Sequence, residues 1–154
     1  MAELTEKRLF LLDMDGTLYL DDDLFPGTIP FLRRIREKGG RYLFLTNNSS
    51  RGADSYVEKL RRLGIESVPE DFLTSVDALI LFLRKGDYQG KPLYVAGTES
   101  FRRQLRSAGF SVTSDREEAE VLICGFDTEL TFQKLEDACI LLNRGAEFLA
   151  TNPD

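Results

Sequence analysis

An α/β protein built on a doubly wound parallel sheet, with the beginning of a second α/β unit after it, is the fold class this sequence predicts. Three observations carry that prediction. Short, wholly apolar runs of strand length, such as Leu9-Phe10-Leu11-Leu12 and Val121-Leu122-Ile123, read like strands buried in a parallel sheet. Stretches with apolar residues at helical spacing alternate with these runs, which is the order of successive βα units with right-handed crossovers. The first two runs also end in chemistry-bearing residues, Asp13 and Asp15 after one and Thr46-Asn47-Asn48-Ser49-Ser50 after the other. In open α/β sheets ligands bind beyond the carboxyl ends of the strands.

The elements follow in order. Residues 9–12 form the first strand, and Asp21-Asp22-Asp23 reads as a solvated loop, because three consecutive side chains do not converge on one ion without a special turn. Thr28 is the expected N-cap of a helix with Pro30 in its first turn, Phe31, Leu32 and Ile35 as its apolar stripe, and Gly39-Gly40 as its stop. Residues 41–45 are the second strand and 51–63 the next helix, with Tyr56, Val57, Leu60 and Leu63 at helical spacing and Gly64 ending it. Arg61 and Arg62 read as its solvated face. A short strand at 72–75 and a helix at 76–85 complete a third unit. Two glycines and a proline between Gly86 and Pro92 then break the pattern, so a boundary is placed there, with 1–86 as one domain and 87–154 as the start of another. Beyond it, strands at 93–96, 121–124 and 148–150 alternate with helices at 100–108 and 130–142.

Composition narrows the function. The 154 residues are 42% hydrophobic and 30% charged, a globular balance with enough apolar side chains for a sizeable core. A net charge of −6 argues against a general nucleic-acid binder, whose footprint would be basic. No apolar run approaches the ~20 residues of a membrane span and residues 1–7 lack an apolar leader, so no membrane partner and a cytoplasmic location are expected. The two cysteines, Cys124 and Cys139, sit in apolar segments and read as buried thiols. The chain has no histidine at all, which removes Ser-His-Asp and Cys-His mechanisms and leaves carboxylates, Lys or Tyr as acid/base groups.

Asp13 and Asp15, two apart on an extended chain, point the same way. Two carboxylates so close repel unless a cation compensates, and Mg²⁺, a hard oxygen-seeking ion, is the natural guest. Gly16 lets the chain turn, and Thr17 adds a hydroxyl and an N–H. Taken alone, Asp-x-Asp-Gly is equally a turn signature. Likewise Thr46, Asn47, Asn48 and the serines after them form a phosphate cradle at a strand end, or simply an extended N-cap.

The stretch Asp13-Met14-Asp15-Gly16-Thr17-Leu18-Tyr19 resembles the first motif of the haloacid dehalogenase superfamily of phosphohydrolases, and the apolar strand ending at Thr46 resembles its second. Thr46-Asn47-Asn48-Ser49 and the Pro26-Gly27 pair are similar to the subfamily of NagD-type phosphatases, 4-nitrophenylphosphatases and phosphoglycolate phosphatases. The resemblance implies a Rossmannoid core with a type-two cap, with Asp13 as nucleophile, Asp15 as general acid/base and Thr46 on the transferring phosphoryl group. Asn47, Asn48 and the backbone around Gly16 would hold its oxygens, and Asp13 and Asp15 the metal. Gly125, Asp127 and Thr131 match a cap segment, and Thr151-Asn152-Pro153-Asp154 another, in which Asn152 and Asp154 would face substrate; on spacing alone Asn-Pro-Asp is a turn. The family's later Lys and Gly-Asp-x-x-x-Asp motifs have no counterpart here, Lys91-Pro92 and Gly125-Phe126-Asp127 being imitations out of place.

The expected activity is therefore Mg²⁺-dependent hydrolysis of a small phosphorylated metabolite through an aspartyl phosphate, in a chain that reads as the N-terminal fragment of a longer phosphatase. The missing strands would leave an open sheet edge that invites a homodimer. Two alternatives stand beside it: a non-catalytic phosphate- or Mg²⁺-binding or oligomerising module, and a phospho-accepting receiver, which would leave Thr17 and Thr46 without a task.

Overall fold

The structure, a computed structural model, describes residues 6–152. It is α/β throughout and divides into two compact units between which the chain passes three times. The first holds the residues up to Thr46 and again Ala53–Leu73; the second holds Asn47–Gly52 and everything from Thr74 onward.

In the first unit, β1 (Leu9–Asp13) and β4 (Arg41–Thr46) pair in parallel, from Leu9 opposite Arg41 to Asp13 opposite Leu45. Strand β5 (Phe72–Thr74) follows in the order β1-β4-β5. Helices α1 (Thr28–Glu37) and α2 (Ala53–Arg62) supply Leu32, Ile35, Tyr56 and Leu60 to a core that also contains Leu12, Met14, Leu18, Tyr19, Phe44 and Phe72. Aromatic rings run through it: Tyr42 to Phe44 at 5.1 Å, Phe44 to Phe72 at 5.2 Å and Phe72 to Tyr56 at 6.0 Å between centroids. Leu60 is fully buried, so truncation to Ala would cost about 2–5 kcal/mol.

Three readings of this part change. The first apolar run is covered on one face only, since Leu12 is buried while Leu9 and Leu11 are each 57% exposed. The acidic run is not a plain loop: β2 (Tyr19–Leu20) and β3 (Asp23–Leu24) form a two-residue antiparallel ladder, with Asp21 at φ +51 turning between them. Thr28 is not a cap. Gly27 takes that position, and the buried Thr28 hydroxyl donates 2.7 Å to the Leu18 carbonyl, tying α1 to the chain that precedes the acidic turn.

The second unit is a four-stranded parallel sheet ordered β7-β6-β8-β9, from β6 (Leu93–Ala96), β7 (Val112–Thr113), β8 (Val121–Cys124) and β9 (Glu147–Ala150). The pleat splits its side chains. Leu93, Val95, Val121 and Ile123 pack against α3 (Ser75–Lys85) and α4 (Glu99–Ser107), while Tyr94, Ala96 and Leu122 pack against Ala138 and Leu141 of α5 (Phe132–Asn143). Helices thus cover both faces, the doubly wound arrangement, and β6 is buried along its whole length. Side chains cap the helices: Thr74 and Asp77 form a reciprocal box on α3, and Thr98 and Thr131 cap α4 and α5. Cys139 departs from its reading as a buried thiol, lying exposed on α5; Cys124 is half-buried, and burial raises its pKa. Among the described residues no helix is long and apolar enough to cross a membrane.

Candidate active site

The register of β1 and β4 places the first set of candidates together. Asp13 ends β1 opposite Leu45, one residue before Thr46 ends β4, so a carboxylate and a hydroxyl stand at the carboxyl ends of adjacent parallel strands. Beyond Asp13 the alternation continues for two residues. Met14 is buried at 2% exposure while Asp13 and Asp15 are both exposed, as expected when the two carboxylates share a side.

The turn after them is held by backbone bonds. The Gly16 N–H donates to the Tyr19 carbonyl at 2.8 Å, and the N–H groups of Thr17 and Leu18 donate to the Met14 carbonyl at 3.1 and 2.8 Å. Gly16 has φ +76, a region that costs a side-chain-bearing residue about 1–2 kcal/mol, and an isolated bridge joins Asp15 to Tyr19. Thr17 Oγ1 closes the turn on the site by donating to Asp13 Oδ2 at 3.1 Å. Thr46, half-buried, is hydrogen-bonded through Oγ1 to the Tyr56 hydroxyl at 3.4 Å. Tyr56 reads in the sequence only as part of a helical stripe; no local pattern marks its hydroxyl.

The remaining candidates belong to the second unit. The Asn47 carbonyl accepts from Ser75 Oγ at 2.9 Å, and Asn48 Oδ1 accepts from the Ser50 N–H at 2.8 Å and the Ser50 hydroxyl at 2.7 Å, an Asx turn. Asn152 Oδ1 lies 2.9 Å from Thr151 Oγ1. Asp154 lies outside the described residues. The segment from Gly125 to Thr131 is braced from within: Lys134 Nζ reaches Asp127 Oδ2 at 2.9 Å, the Glu129 carbonyl at 2.8 Å and the Gly97 carbonyl at 3.1 Å. Asp127 is thus a partner of Lys134. Lys91 lies over the Tyr88 ring, 5.3 Å from its centroid.

Two exposed carboxylates on one side of the chain, Asp13 and Asp15, would suit a divalent cation. Among the described residues no group of three or more His, Cys, Asp or Glu side chains converges as a cage. Mg²⁺ does not require one, since it keeps several waters and is held by one or two carboxylates together with a phosphate. Asp13 and Asp15 are two carboxylates that could fill such a donor set.

Comparison with known proteins adds the following. The family described as haloacid dehalogenase-like hydrolase matches residues 10–111. An acid sugar phosphatase of Staphylococcus aureus is 32% identical over 147 residues, which is 96% of this chain and 56% of that protein. The 4-nitrophenylphosphatase of Thermotoga maritima superposes with a TM-score of 0.89 at 39% identity, over 97% of this chain and 56% of that one. A glycerol phosphate phosphatase of Mycobacterium tuberculosis, solved in complex with magnesium, superposes with a TM-score of 0.90 at 27% identity, over 100% of this chain and 47% of that one. The chain therefore spans about half the length of the relatives it matches.

Proposed function

Because this chain belongs to the haloacid dehalogenase-like hydrolases, we propose that it carries the nucleophile-bearing part of a phosphatase that hydrolyses small phosphate monoesters through an aspartyl phosphate. The observation that supports this reading is the register that sets Asp13 and Thr46 at neighbouring strand ends, with Thr17 holding one oxygen of Asp13. Residues 1–86 belong in this reading to the catalytic core and 87–154 to a cap. The relatives named as sugar, glycerol phosphate and 4-nitrophenyl phosphatases support a phosphorylated small metabolite as the substrate class in this reading.

In the first step Asp13 attacks phosphorus through Oδ1, since Oδ2 is bonded to Thr17. The P–O bond to the leaving group breaks, and the departing alkoxide takes a proton from Asp15. In the second step water attacks the aspartyl phosphate, Asp15 takes the water's proton, and the P–O bond to Asp13 breaks to release inorganic phosphate, leaving Asp13 a carboxylate and Asp15 protonated for the next turn. Thr46 donates to a phosphoryl oxygen throughout, and the backbone around Gly16 completes the contacts within the first unit. Phosphoryl transfer depends chiefly on such positioning and charge stabilisation. Mg²⁺ held by Asp13 and Asp15 would offset the repulsion between a carboxylate nucleophile and a phosphate dianion.

The decisive experiment is phosphate release from 4-nitrophenyl phosphate and a sugar-phosphate panel by the full-length protein, alongside Asp13→Asn. The variant should fold and be inactive, and acid-quenched wild type should carry a phosphoryl group on Asp13. Turnover by Asp13→Asn, or a phosphoryl group elsewhere, overturns the assignment.

A further inference from the structure

Ser49 is fully buried, and the carboxyl edge of the second sheet closes around it and its neighbours. After β8, the Phe126 N–H donates to Ser49 Oγ at 2.7 Å. After β9, Thr151 Oγ1 lies 3.1 Å from Ser49 Oγ and 2.9 Å from Asn152 Oδ1. Each hydroxyl carries one proton, so the order that satisfies all three bonds runs from the Phe126 N–H to Ser49, from the Ser49 hydroxyl to Thr151, and from the Thr151 hydroxyl to Asn152. After β6, the buried Thr98 hydroxyl donates to the Ser50 carbonyl at 2.8 Å. Gly125 is the steric counterpart, since a Cβ there would lie 2.5 Å from Ser49 Oγ and 2.7 Å from the Phe101 ring.

Three successive parallel strands thus each deliver a hydrogen bond, from the edge where an α/β sheet takes its ligand, to the chain's own segment Asn47–Gly52. That segment is joined to Thr46 by one peptide bond.

We propose that Ser49 is a positioning residue: its hydroxyl fixes the backbone leaving Thr46, and so sets the phosphate-binding end of β4, without touching phosphate. The proposal rests on the phosphatase reading and adds a specific consequence. Because Ser49 acts through Thr46, and not through the leaving group, its loss weakens every phosphate ligand by the same factor.

The test uses the full-length protein with Ser49→Ala, Thr151→Val and Thr151→Ser. The readouts are the Kd of inorganic phosphate by calorimetry in Mg²⁺, kcat and KM for 4-nitrophenyl phosphate and for a sugar phosphate, and a thermal melt. Ser49→Ala and Thr151→Val should raise the phosphate Kd and both KM values in parallel, by about tenfold, within the range that displacement of a positioning group produces. Thr151→Ser, which keeps the hydroxyl, should behave as wild type. A lowered Tm with unchanged phosphate Kd would leave Ser49 a packing residue only, and a change confined to one substrate would make it a specificity residue; either overturns the proposal. Should Ser49→Ala fail to fold, the Val and Ser variants of half-buried Thr151 decide alone. Wild-type protein that binds phosphate without releasing it from any ester overturns the phosphatase reading instead.

Discussion

Thr17 Oγ1 donates to Asp13 Oδ2 across 3.1 Å, so the side chain four residues beyond the proposed nucleophile occupies one of its oxygens and leaves Oδ1 for the attack proposed above. The bond exists because Gly16 turns the chain back on itself at φ +76. Thr17→Val keeps the shape and removes the donor. It should lower kcat by about 10- to 100-fold while changing KM little, because the loss is of alignment more than of binding. Thr17→Ser should restore most of the rate. Steady-state kinetics on 4-nitrophenyl phosphate measure both.

Thr46 should behave in the opposite sense. If, as proposed, it donates to phosphoryl oxygens in both ground and transition states, it contributes binding, so Thr46→Val should raise KM and weaken inhibition by inorganic phosphate, each by about tenfold, the value of one hydrogen bond to a charged group. An unchanged phosphate inhibition constant would remove Thr46 from the site.

Two glycines separate strain from crowding. Among the described residues no atom lies within 4 Å of a Cβ placed on Gly16, so Gly16→Ala should cost only its left-handed backbone, about 1–2 kcal/mol. Gly125 has no such backbone requirement but meets Ser49 and Phe101 at once, so Gly125→Ala should destabilise by about 1–3 kcal/mol through overpacking. Pairing Gly125→Ala with Phe101→Leu should recover part of the second loss, whereas nothing packed nearby should rescue the first. Denaturant unfolding of the four proteins tests this.

The buried pair in the second unit predicts a pH window. Tyr94 Oη donates to Asp137 Oδ2 at 2.8 Å, and burial, followed by that bond, pushes the Tyr94 pKa up to about 12. Burial alone would raise Asp137, but hydrogen bonds from Tyr94, Gln133 and Arg116 outweigh it and hold the carboxyl below its ordinary value. The signs differ. The raised tyrosine contributes stability that is complete below its unfolded pKa of about 10 and is lost as pH climbs toward 12; the lowered aspartate contributes stability present above about pH 4 and lost as pH falls through its folded value. Thermal melts across that range should show both shoulders, and Tyr94→Phe should shrink the alkaline one, the raised Tyr42 and Tyr88 leaving a remainder.

Chelation should separate chemistry from folding. Stripping divalent cations with EDTA should abolish turnover and leave the circular dichroism spectrum unchanged, since Asp13 and Asp15 are exposed and outside both cores. Adding Mg²⁺ should raise Tm slightly, by mass action on a site absent from the unfolded chain. An EDTA-resistant rate would exclude the metal from the mechanism.

What was legible in the sequence was whatever a strand announces locally. Leu9–Asp13 and Arg41–Thr46 carry apolar runs and terminal polar groups within a few residues, and their pairing follows. The hairpin at Tyr19–Leu24 escaped because its strands are two residues long and its turn is written in aspartates, which look like a solvated loop. Thr28 looked like a cap because capping preference is local, whereas its hydroxyl is claimed by Leu18, ten residues earlier. The partners of Ser49 are 77 and 102 residues away, and no window of sequence contains such a bond. Cys139 sits among apolar neighbours on α5, yet Phe132, Leu135 and Leu142 are themselves exposed, so its surroundings in sequence said nothing about its burial.

The three passages of the chain between the units have a consequence for how the molecule can be divided. A single cut after Thr46 would deprive the first unit of α2 and β5, and a piece beginning at Thr74 would leave the Phe126 N–H and the Thr98 and Thr151 hydroxyls without the segment they hold. The buried Thr98 hydroxyl, stripped of its acceptor in this way, costs about 1–3 kcal/mol. Neither unit is therefore a transplantable module. Recombination or domain swapping between relatives would preserve the second sheet only where Asn47–Gly52 travels with it, so the motif beside the chemistry is inherited as one block with an edge that lies far along the sequence.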